Sequence, residues 1–83
     1  MKSQNVVGPR IRQIRYQQAL TQDELAARCG ALGWDISRGT LSKIEAQVRR
    51  VTDRELWYLA TALRTSLEDL YPKKMKAPKR SER

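Results

Sequence analysis

The 83 residues predict an all-α domain of five short helices. Two segments carry the reciprocal cap pattern Thr-x-x-Glu, Thr21 with Glu24 and Thr52 with Glu55, each leading into apolar residues at helical spacing. Ser37 and Ser66 open two further stretches of the same spacing, and β-branched runs that would favour strands are few.

Taken in order, a first helix is expected from Pro9 to Gln18. Proline is tolerated in a first turn, where its missing donor costs nothing, and Ile11 and Ile14 follow at helical spacing. Leu20, just before the Thr21 cap, can staple onto Leu25, while Leu25, Ala26 and Cys29 form the apolar face of a second helix that Gly30 or Gly33 would end. The third helix starts after Ser37 and buries Leu41 and Ile44, with Val48 at or past its end. The fourth, capped by Thr52, buries Leu56, Leu59, Ala60 and Leu63. Ser66, paired with Asp69, opens a short fifth helix carrying Leu67, Leu70 and Tyr71 and stopped by Pro72. Around this body, residues 9–72, the sequence places a flexible N-terminal arm at 1–8 and a basic, Lys/Pro-rich disordered tail at 73–83.

This length supports one domain and argues against a large catalytic cleft. The formal charge of +8 is uneven: residues 1–71 carry 11 Lys/Arg against 8 Asp/Glu, whereas residues 72–83 carry 6 against 1. Such a balance favours polyanionic partners, nucleic acid first, although a charge run is also an ordinary solubilising device. A single cysteine, Cys29, excludes an internal disulfide and a Cys-rich metal cluster, and the absence of histidine removes the commonest neutral metal ligand and general base. Cys29 falls on a core face and reads as a small hydrophobe rather than a redox sensor. The neighbouring acids Asp23 with Glu24, and Glu68 with Asp69, face different directions and are better explained as first-turn charges and caps. With no glycine-rich phosphate loop, an enzyme is disfavoured and no cofactor or metal is expected. No stretch reaches the roughly eighteen apolar residues of a membrane span, and residues 1–9 lack the apolar centre of a signal peptide, so the cytoplasm is the default location.

The outward side of the third helix carries the recognition chemistry. Arg38 can make bidentate bonds to guanine and Lys43 can reach guanine acceptors, while Gly39 and Thr40 permit close approach, with a threonine methyl available to thymine. A plain solvated surface explains Arg38 and Lys43 equally well when they are taken alone.

Four pieces in order and at fixed spacing change that balance: Ile14-Arg15, Leu20-Thr21-Gln22-x-x-Leu25-Ala26, Thr40-Leu41-Ser42-Lys43-Ile44-Glu45, and the run Leu56-x-x-Leu59-Ala60-x-x-Leu63-x-x-x-Leu67-x-x-Leu70. Together they make residues Gly8 to Tyr71 resemble the lambda-repressor-like, Cro/C1-type (XRE) helix-turn-helix family. The resemblance implies a transcriptional regulator, most often a repressor, that occupies double-stranded operator DNA. It makes Ser37 to Glu45 the recognition helix, with Arg38, Gly39, Thr40 and Lys43 at bases. Gln17, Gln22, Ser37, Ser42, Arg49 and Arg50 are placed at phosphates. It also implies an architectural pair, Arg15 with Glu45, tying the first helix to the third; direct phosphate contact is the alternative for Arg15. Arg49 and Arg50 are open to a second reading as a solvated face.

The chain departs from the family pattern between the second and third helices, where Gly30-Ala31-Leu32-Gly33-Trp34-Asp35-Ile36 extends the connection by about five residues over the family's usual turn. Trp34 is expected to fill the gap as an architectural group, with a dimer contact or stacking on another molecule as rivals. Trp57 and Tyr58 stand open between an interface and ordinary surface. Two-fold operators read by dimers suit such domains, so a homodimer through the fourth and fifth helices, or one completed on DNA, is among the expected partners. An antitoxin that binds a toxin, and an adaptor that uses the helical body against another protein, are the competing readings.

Overall fold

Side-chain caps at Thr21, Ser37 and Thr52 start three helices where the sequence places them. The computed structural model describes residues 2–73 and contains α1 (Gly8–Gln17), α2 (Gln22–Leu32), α3 (Arg38–Glu45), α4 (Asp53–Ala62) and a 3-10 turn at Glu68–Leu70. Both capping boxes close: Thr21 and Thr52 accept from the backbone N–H of Glu24 and Glu55 at 3.0 and 3.2 Å, and each glutamate accepts in return from its threonine's backbone N–H. The same bonds hold the Glu24 carboxyl below its ordinary pKa, the Thr21 backbone donor first.

The fully buried side chains Ile11, Leu25, Cys29, Leu41, Ile44, Leu59, Leu63 and Leu70 form one core. In it α2 packs against α3 and α4, while α1 packs against α3 and the 3-10 turn. Cys29 is a core residue, and burial pushes its thiol up to about 11. Among the described residues no helix is long and apolar enough to cross a membrane.

Three expectations need correction. The fifth helix is a single 3-10 turn: Leu70 N–H bonds to Leu67 C=O and Tyr71 N–H to Glu68 C=O, after which Tyr71 is extended, as a residue before proline prefers. Leu70 alone enters the core, whereas Leu67 and Tyr71 are exposed. Residues 4–8, read as arm, are packed onto the body. Asn5 Nδ2 donates to Ile44 and Arg49 carbonyls at 3.0 and 2.8 Å, Gln4 N–H donates to the Gln47 carbonyl, and Val7 is buried. The long connection before α3 is partly helix, because Gly30–Leu32 continue α2 and only Gly33–Ile36 separate it from the Ser37 cap. The expected disordered tail lies outside the described residues except for Lys73.

Each helix end is turned by a left-handed residue whose successor reaches back to an open carbonyl. Glycine supplies that conformation only after α2, where Gly33 has φ 112° and Trp34 N–H bonds to Cys29 C=O. Ala19, Gln47 and Arg64 supply it after α1, α3 and α4, with φ 55°, 65° and 56°. A side chain pays roughly 1–2 kcal/mol in this region, and glycine offsets part of the gain by loosening the unfolded chain. Arg64 is exposed, so Arg64→Gly is expected to raise stability by about 0.5–1 kcal/mol in urea melts; a loss would show that its side chain holds a contact that outweighs the strain.

Candidate nucleic-acid interface

Ser37 sets the start of α3. Its Oγ accepts from Thr40 N–H at 3.1 Å and lies 3.1 Å from Thr40 Oγ1, so the hydroxyls of Ser37 and Thr40 are turned on each other. Helical periodicity then divides α3. Leu41, Ile44 and Glu45 are buried, Thr40 is half-buried on a flank, and Arg38, Gly39, Ser42 and Lys43 share the exposed face.

A buried ion pair fixes the back of that helix. Arg15 Nε and Nη2 donate to Glu45 Oε2 and Oε1 at 2.7 and 2.9 Å, and Nη1 donates to the Leu20 carbonyl at 2.8 Å. Arg15 is 5% exposed and Glu45 7%, and each of the three guanidinium nitrogens already makes a bond inside the protein, which favours the architectural role of Arg15 over a phosphate contact. The hydrogen bond to Glu45 raises the Arg15 pKa against the opposing effect of burial. Gln22 joins the pair, Nε2 donating to Glu45 Oε1 at 3.1 Å. Its side chain is thus bound to α3 in this structure, where the sequence placed it at phosphate.

In front of the pair lies an open groove of about 700 Å³, with Arg12 and Tyr16 of α1 on one side, Arg38 and Ser42 of α3 on the other, and Gln22 and Asp23 at the start of α2. Arg12 Nε and Nη2 donate to the Tyr16 hydroxyl, each at 3.2 Å, and the Tyr16 ring lies beneath the guanidinium groups of Arg12 and Arg15 at 5.3 and 4.7 Å. These contacts, Arg12 first, lower the Tyr16 pKa.

The remaining sequence-derived residues separate by environment. Gln17 is exposed in the last turn of α1. Arg49 is half-buried and grips Glu55 through Nη1 and Nη2 at 3.0 and 3.1 Å, which holds the Glu55 carboxyl below its ordinary range and engages two of the nitrogens expected at phosphate. Arg50 is the exposed cation there. Trp34 packs half-buried against the core and stacks on Tyr58, ring centroids 5.7 Å apart, while Trp57 meets Tyr58 edge-on at 5.2 Å and is 51% exposed. Sequence reasoning missed Arg12 and Tyr16. Their spacing of four puts them on one helix face, a signal available from the sequence once the first helix was assigned.

Among the described residues no group of three or more His, Cys, Asp and Glu side chains is placed to hold a metal ion. A helix-turn-helix family model, HTH_3, matches residues 11–70. The chain is similar to the crystal structure of the restriction-modification controller protein C.AhdI from Aeromonas hydrophila, with 29% sequence identity and a TM-score of 0.70, over 78% of this chain and 87% of that one. No curated protein sequence matches significantly.

Proposed function

Because the chain belongs to the Cro/C1-type helix-turn-helix family HTH_3, we propose that it is a sequence-specific repressor that reads a two-fold operator as a homodimer. The coarser function is that of a small regulatory protein that binds DNA to control transcription. One observation carries the finer reading: α3 presents Arg38, Gly39, Ser42 and Lys43 on an open face while Glu45 anchors its back to α1. A helix held in this way enters a major groove without losing its anchor.

In this reading Arg38 and Lys43 contact base edges, and Gly39 lets the backbone approach them. Thr40 contributes its methyl rather than its hydroxyl. Ser42, Gln17, Arg50 and the backbone at Gln22 and Ser37 meet phosphates, which set affinity and register without reading sequence. Arg49 serves by pinning the loop after α3 to α4. The likeness to a controller protein favours a regulator over an adaptor, and two-fold operators match the symmetry of a dimer. In this reading the protein works in the cytoplasm, beside its DNA.

Selection of duplexes from a randomised pool by the full chain is expected to enrich a two-fold motif. Arg38→Ala should then lose about 1–3 kcal/mol of discrimination at one position of each half-site, with an unchanged melting temperature because Arg38 is exposed. A pool that enriches no motif would leave α3 as a surface that reads no bases and would favour the adaptor.

A further inference from the structure

Resting on the DNA-binding reading, the geometry points to a second contact surface outside α3: Arg12 and Tyr16 of α1 form a composite grip on one backbone phosphate of the bound duplex. The Tyr16 hydroxyl receives two N–H bonds from Arg12, which occupies its oxygen as acceptor and leaves its own proton to donate. Arg12 keeps its remaining N–H groups, and no carboxylate pairs with it among the described residues. This wall of the groove therefore offers donors only.

Base edges present donors and acceptors in mixed patterns, whereas a phosphodiester presents acceptor oxygens and a negative charge. A donor-only, cationic wall matches the second. The position fits as well, because the groove that Arg12 and Tyr16 flank is closed on its far side by Arg38 and Ser42, which border the outward face of α3. When α3 lies in a major groove, the strand beside it passes over this opening. Asp23 is the one carboxylate of the lining that Arg15 does not hold, and among the described residues no ion pair joins it to Arg12. Tyr16 is a platform as well as a donor. With Arg15 on one guanidinium contact and Arg12 on another, its ring holds the Arg12 head in place.

A phosphate grip and a base contact differ in what they lose. Arg12→Gln is expected to weaken binding about tenfold on both the selected duplex and a scrambled one, and to reduce the magnitude of the slope of log K against log salt by about 0.9. Tyr16→Phe, which keeps the ring, should give a smaller loss that is likewise equal on the two duplexes. Both residues are exposed, so melting curves should be unchanged. Neutral methylphosphonates placed singly along the duplex should reveal one position at which Arg12→Gln costs nothing further. An unchanged salt slope overturns the assignment, as does a loss confined to the selected duplex, which would make Arg12 a base reader. If the unaltered chain binds neither duplex, the DNA reading itself falls and takes this one with it.

Discussion

Arg15→Ala is expected to remove about 3–5 kcal/mol of folding stability, the usual cost of stripping one partner from a buried pair. Most of that cost is the carboxylate left behind. Glu45 is 7% exposed and would keep only the Gln22 amide, a neutral donor at 3.1 Å, as partner among its observed side-chain bonds. Against the roughly 5–15 kcal/mol that holds a typical domain folded, the loss leaves a marginal protein. Glu45→Ala should lose a comparable amount, since it strands the guanidinium instead. Replacing both, Arg15→Met with Glu45→Leu, should recover much of the stability, because two buried charges and their desolvation disappear together. Urea melts of the two single variants and the double variant measure this as a cycle. A single-variant loss below about 1 kcal/mol would show a pair that behaves as a solvated surface bridge.

The second large effect arises at the first residue of α1. A Cβ built on Gly8 would lie 2.9 Å from the Glu45 carbonyl oxygen and closer still to that of Ile44. Those obstacles are backbone, which cannot rotate aside as a side chain would. Gly8→Ala therefore has to push α1 away from the C-terminal end of α3, at about 1–3 kcal/mol for overpacking. DNA affinity should fall with it, since the seat of α3 on α1 is what shifts. Gly30→Ala is the matched control: Gly30 lies exposed within α2 with nothing within 4 Å of an added Cβ, so the same change should stabilise by about 0.5–1 kcal/mol through helix propensity. Equal effects at the two glycines would sink the close-approach argument.

The contrast between these glycines marks where sequence reasoning stops. Both stand beside plausible helical residues, and nothing local separates the one against a carbonyl from the one in open space. The outward α3 face was legible because Leu41 and Ile44 fix the buried side, which leaves Arg38, Gly39, Ser42 and Lys43 opposite. The Arg15–Glu45 pair came only from family likeness, since its partners are 30 residues apart and no periodicity joins them. Arg49 and Gln22 were placed at phosphate with no sign of their bonds to Glu55 and Glu45, because a sequence shows a residue's donors and not the acceptors that folding brings to them.

The helix starts belonged to the sequence by itself. Thr21, Ser37 and Thr52 bond to groups three residues away, so each cap closes without help from the rest of the chain. The left-handed ends at Ala19, Gln47 and Arg64 carried no such mark, being residues in a conformation that glycine would supply freely. The docking of residues 4–8 on α3, the commitment of Gln22 to Glu45 and of Arg49 to Glu55, and the groove between Arg12 and Arg38 were decided by tertiary structure alone. Hydrogen bonds and steric contacts act over a few ångströms, and residues far apart in the chain come that close only after the helices have packed.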